Sequence, residues 1–123
     1  MMKFFSIAGC INAVLAVVLG AFGAHALRTR LSNELLSAFQ TGVQYHFYHA
    51  LGLFAVAFVA SQYPDTTLVK WSGWLMLTGI VLFSGSLYVL SLSGVRGFGA
   101  ITPFGGVAFI TAWILLTVAI AKA

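Results

Sequence analysis

Residues 4–24, Phe4-Phe-Ser-Ile-Ala-Gly-Cys-Ile-Asn-Ala-Val-Leu-Ala-Val-Val-Leu-Gly-Ala-Phe-Gly-Ala24, contain no Asp, Glu, Lys or Arg. A helix rises about 1.5 Å per residue, so such a run crosses the roughly 30 Å hydrocarbon core of a bilayer. Lys3 before it and Ala24-His-Ala26 after it mimic a secretory signal with its small-residue cleavage site. A signal's apolar region is only about 7–15 residues long, and this one is longer. It reads as a retained transmembrane helix.

Three further stretches repeat the pattern, near 43–61, 71–93 and 104–121, and none carries a charge. The composition agrees with them. Only 7% of the 123 residues are charged and 61% are hydrophobic, whereas a soluble domain carries roughly 25% charged residues. Mean hydropathy is +1.04. The expected fold is therefore all-α: one domain over 1–123, with four transmembrane helices in an antiparallel bundle. The expected solvent, and first partner, is the lipid bilayer.

The net charge of +4 does not point to nucleic acid. The basic residues are Lys3, Arg28, Arg30, Lys70, Arg96 and Lys122, each near a span boundary and never in a run. That distribution anchors helices at an interface and forms no phosphate-tracking patch. Four spans place Lys3, Lys70 and Lys122 on one side, and Arg28, Arg30 and Arg96 on the other. Three against three leaves orientation open. The single cysteine, Cys10, lies inside the first span and reads as a small buried hydrophobe.

The connections differ in character. Within Arg28–Gly42, Leu31, Leu35 and Phe39 fall on one face, and Ser32, Asn33 and Ser37 lie off it. This predicts a short interfacial amphipathic helix near 31–41. Tyr63-Pro64-Asp65 predicts a turn. Gly94, Gly97 and Gly99 loosen the third connection, and Thr102-Pro103 reads as a helix start with threonine as the N-cap. Two ladders of small residues predict close helix packing, as lipid-embedded helices require. One is Ala8, Asn12, Ala16, Gly20 and Ala24; the other is Ser72, Gly79, Ser86 and Ser93.

The residues that could carry chemistry converge on one membrane face. His25 ends the first span, His46 and His49 lie in the first turns of the second, and Tyr88 and Arg96 approach from the third. Ionisable groups inside a span are costly and therefore mark candidate sites. These five are the candidate ligand- or cofactor-binding residues. Two histidines on different spans suit a haem, three suit zinc, and a His–Tyr–Arg layer suits the head of a quinone or lipid. A His-x-x-His spacing decides between none of these, and interhelical hydrogen bonding is a further role for the same residues. No cofactor motif is present: the Gly94–Gly99 run does not follow a strand. The two carboxylates, Glu34 and Asp65, are expected on opposite sides of the membrane, so paired acid–base catalysis is not expected. With no Asp or Glu inside a span, a transporter is disfavoured, and a small channel or transporter built by oligomerisation is the weaker alternative.

Gly20-Ala-Phe-Gly-Ala-His25, Gln44-Tyr-His46-Phe-Tyr-His49-Ala-Leu-Gly, Leu82-Phe-Ser-Gly-Ser-Leu-Tyr88 and Ile101-Thr-Pro-Phe-Gly-Gly106 stand in this order along the chain. Together they resemble the YgdD-like family of small bacterial inner-membrane proteins, a family of unknown function with relatives in mitochondria. The resemblance covers essentially the whole chain and implies a four-span fold without implying a reaction. The expectation is a non-catalytic structural or accessory protein of the bacterial inner membrane. Its expected partners are further copies of itself or a larger membrane complex.

Overall fold

The computed structural model describes residues 1–64 and 66–123. Helices α1 (Met2–His25), α2 (Asn33–Gln62), α3 (Thr67–Gly79), α4 (Ser86–Ser93) and α5 (Thr102–Lys122) make up four long rods. The third rod is composite, because a π-helical segment, Ile80–Gly85, joins α3 to α4. A 3₁₀ segment, Arg96–Ala100, leads into α5. All four rods are long and apolar enough to cross a membrane. Among the described residues there is no strand.

α2 is the axis of the bundle. Half of its most apolar window is buried inside the protein, against 17% for α1. α1 lies along α2, α3 lies along α5, and α2 also meets α3, the π segment and α4. Phe5, Leu53, Val56, Met76, Phe109 and Leu116 form the centre of the core. The outer faces are apolar too: Ile7, Ile11, Val14, Val17 and Val18 of α1 are exposed. Lipid tails replace water against them, so this surface carries no desolvation penalty.

Polar groups inside the bundle are paired, as the absence of water demands. The Ser72 hydroxyl donates to the Ala112 carbonyl at 2.7 Å, tying α3 to α5. The Ser84 hydroxyl donates to the Gly42 carbonyl at 2.7 Å, tying the π segment to α2. Backbones come closest where glycine removes a side chain. A Cβ on Gly105 would collide with the backbone of Phe83.

The structure revises several expectations. The segment near 31–41 is not a separate helix, since α2 runs unbroken from Asn33 to Gln62. Its Ser32 N-cap accepts from the Leu35 N–H at 3.2 Å, and Gly42 is absorbed within the helix. The face read from the sequence holds: Phe39 is fully buried, and Leu31 and Leu35 are half-buried. The third span starts at Thr67, so Lys70 rides on the helix rather than preceding it. Thr102 is the first residue of α5, not its N-cap; its hydroxyl instead pairs with that of Ser86 at 2.6 Å. Asp65, part of the expected turn, lies outside the described residues.

Both ladders fail at their last rungs, the first for a geometric reason. A four-residue step overshoots a helical turn by about 40°, so a long ladder winds off its face. Ala16 is buried and Gly20 half-buried, but Ala24 is exposed; the buried line runs through Phe5, Gly9, Ala16 and Gly23. In the third span Ser72, Gly79 and Ser86 are buried, whereas Ser93 is exposed at the helix end beside Gly94, whose φ is 73°. Cys10 is exposed on the outer face of α1 rather than buried.

Candidate functional site

The buried side of α2 runs through Gly42, His46, His49, Leu53 and Val56, the three- and four-residue spacing of one helical face. The sequence thus forces both imidazoles into the bundle, where each ring nitrogen needs a partner. Each finds two. His46 Nε2 lies 3.0 Å from Asn12 Oδ1 on α1. The Asn12 amide nitrogen donates to the Ala8 carbonyl at 2.8 Å, which fixes Oδ1 as the acceptor and puts the proton on Nε2. His46 Nδ1, 2.9 Å from the Tyr88 hydroxyl of α4, must then accept. Gly42 lets Tyr88 lie across α2: a Cβ there would meet the ring at 3.0 Å.

His49 is arranged in the opposite sense. Its Nδ1 donates to the Tyr45 carbonyl one turn back at 2.8 Å. Its Nε2 accepts from the Trp113 indole of α5 at 3.0 Å, since an indole nitrogen can only donate. The ring also stacks on Phe109, with centroids 3.5 Å apart and an interplanar angle of 8°. The two histidines are therefore opposite neutral tautomers. One bridges α1, α2 and α4, and the other bridges α2 and α5.

The five expected site residues do not form one layer. His46 and Tyr88 come together as expected. His49 belongs to a second cluster with Trp113. His25 is exposed at the end of α1 and joins neither. Arg96 is exposed and forms an ion pair with Glu34, in which its second guanidinium nitrogen lies 3.3 Å from the other carboxylate oxygen. That pair ties the 3₁₀ segment to the first turn of α2. Among the described residues no three His, Cys, Asp or Glu side chains gather as a metal site. A metal at His46 or His49 would have to displace the Tyr88 or Trp113 donor from the ring's lone pair.

Two members of these clusters escaped the sequence reading, Asn12 and Trp113. Asn12 looked like one rung of a small-residue ladder. Its signal was its amide, which has to find a partner inside an otherwise apolar span. Trp113 carried the same signal, because an indole N–H in mid-span needs an acceptor.

Comparison with known proteins places this chain in a family. The model of the family described as "Protein of unknown function (DUF423)" matches residues 19–106. The UPF0382 membrane protein YwdK of Bacillus subtilis is 58% identical, over 98% of each chain. This chain belongs to the DUF423 family. The UPF0382 membrane protein SSP2132 of Staphylococcus saprophyticus is 48% identical over 95% of this chain and 96% of its own. A UPF0382 membrane protein of Staphylococcus epidermidis is 47% identical over 98% of each. No solved structure matches. These relatives are described only as membrane proteins, and no activity is established for the DUF423 family. The matched stretch holds His25, His46, His49, Tyr88 and Arg96, while Asn12 and Trp113 lie outside it.

Proposed function

We propose that this multi-pass protein, which resembles the YgdD-like proteins, is a non-catalytic structural or accessory component of the bacterial inner membrane, and that its buried histidines pin its helices together. One observation carries the reading: all four ring nitrogens of His46 and His49 are engaged by groups of the protein itself. A histidine poised for catalysis or ligation keeps one nitrogen free or held by a displaceable group. Here the occupants are a phenol, a carboxamide, a backbone carbonyl and an indole, each held by its own helix.

The test is spectroscopic and thermal on the purified protein in detergent. The expected spectrum shows only aromatic absorbance, and His46→Leu and His49→Leu each lower the unfolding temperature. A Soret band, or a stoichiometric metal, that disappears in either variant would overturn the pin reading.

A partner reading rests on the outer face. Gln44 is exposed on α2 beside a groove of about 340 Å³ that Gly20 and Ala21 open along α1. A carboxamide facing acyl chains is costly, and a second copy supplies both a donor and an acceptor in return. We infer self-association through this face. Native mass spectrometry from a mild detergent is expected to show a dimer that Gln44→Leu weakens; monomers alone at all concentrations would exclude it.

A further inference from the structure

A slot of about 390 Å³ opens beside His49, between α2, the π segment and α5. Its size falls within the roughly 300–1,000 Å³ of small-molecule sites, and its walls are rings. His49, Phe109 and Tyr45 are nearly parallel, with interplanar angles of 8°, 13° and 18°. Phe83 closes the side, 4.7 Å from Tyr45 and 5.6 Å from Phe109 by ring centroids. Trp113 also lines the slot.

Two backbone features border this space. Phe83 sits in the π segment, a helix form rare enough that its single turns often mark functional sites. Gly106 leaves the mouth clear, for a Cβ there would meet only the edge of Phe83 at 4.0 Å. The polar groups are equally selective. His49 and Trp113 satisfy each other, which leaves the hydroxyl of Tyr45, an exposed side chain of the lining, as the donor on offer. No Lys or Arg lines the slot, so an anionic headgroup has no counter-charge. An acyl chain has neither a ring to stack nor an acceptor to offer.

We propose that this slot binds the ring of a membrane-dissolved quinone, flat on an outer face of the stacked His49–Phe109 pair and alongside the Tyr45 ring, with a ring oxygen accepting from the Tyr45 hydroxyl. The isoprenoid tail runs out into lipid past Gly106. This goes beyond the pin role of His49: the hydrogen bonds that hold the imidazole also hold it still as a stacking surface.

Trp113 supplies the readout. With Trp71→Phe and Trp74→Phe in the full-length protein, Trp113 is the sole indole, and its fluorescence is followed in detergent as decylubiquinone is added. Saturable quenching is expected. Gly106→Leu fills the slot and is expected to raise the dissociation constant at least about tenfold. Tyr45→Phe, which removes one hydrogen bond, is expected to raise it about 2- to 12-fold. Ile110→Phe, one turn along α5, is a second plug that keeps Trp113 the sole indole, should Gly106→Leu not elute as a folded protein. Quenching that stays linear without saturation, or that neither folded plug weakens, overturns the proposal. So does displacement of decylubiquinone by phospholipid at equal mole fraction, which would make the slot an acyl-chain site.

Discussion

At the residue scale, opposite tautomers let two imidazoles on one helix face do different work. His46 donates through Nε2 and His49 through Nδ1, so each bridges to a different neighbour of α2. In the bilayer the alternative to a partner is an unsatisfied polar atom. Replacing His46 by Leu strands the Asn12 carbonyl oxygen and the Tyr88 hydroxyl together. A stranded buried group costs about 1–3 kcal/mol in soluble proteins, and a membrane interhelical hydrogen bond averages about 0.6 kcal/mol, so losing two together comes to about 1 kcal/mol or more. His46→Leu is therefore expected to lose about 1–3 kcal/mol, read by reversible unfolding in mixed micelles. His25→Ala, at an exposed helix end, is expected to stay within about 0.5 kcal/mol. Equal losses in the two variants would dissolve the distinction drawn between these histidines. The pairing of His46 with Tyr88 was legible in the sequence, because antiparallel spans bring residues of matching depth together. Which residue would supply the second partner was not, since depth alone does not tell which face of α1 meets α2.

At the element scale, hydropathy found the four spans but neither the starts of α2 and α3 nor the break inside the third. Charge-free runs of about twenty residues identify a span by solvent alone, which is why all four appeared. The π segment left no such mark: Ile80–Gly85 is as apolar as a regular helix would be. Nor did polarity distinguish a separate interfacial helix from the first turns of α2. At 30 residues, α2 is roughly 45 Å long and overshoots the hydrocarbon core by several turns. With Cys10 replaced by Ala, cysteines at Asn33 and Ser37 are expected to react with a water-soluble maleimide, and one at Phe39 to resist it. Uniform labelling would mean that this end of α2 is not packed. Adjacent glycines on α5 give a sharper test of the packing itself. Gly105→Ala drives a methyl into the Phe83 backbone, which cannot swing aside, and an overpacking loss of about 1–3 kcal/mol is expected. Gly106→Ala meets open space and gains helix propensity, up to about 1 kcal/mol relative to glycine. The two substitutions should move the unfolding midpoint in opposite directions, and a shared direction would refute the contact.

At the scale of the whole molecule, four rods return the chain to the side from which it started. Lys3 and Lys122 therefore share one membrane face, while Arg28, Arg30 and Arg96 share the other. Reporter fusions at the two ends, alkaline phosphatase for the outside and green fluorescent protein for the inside, are expected to agree with each other. Which side that is depends on a balance that the sequence leaves level. Positive residues in short connections favour the cytoplasm, and each side carries three. The Glu34–Arg96 ion pair does little to tip it, because acidic residues contribute little to orientation. A level balance responds to small changes. Arg28→Gln with Arg30→Gln leaves three positive residues against one and should move the termini toward the cytoplasm. Lys3→Gln with Lys122→Gln leaves one against three and should move them outward. Opposite shifts in the ratio of the two reporters would show that charge balance sets the orientation. If neither pair moves it, the length and packing of α2 at the Arg28 end hold the bundle in place, and the basic residues are anchors only.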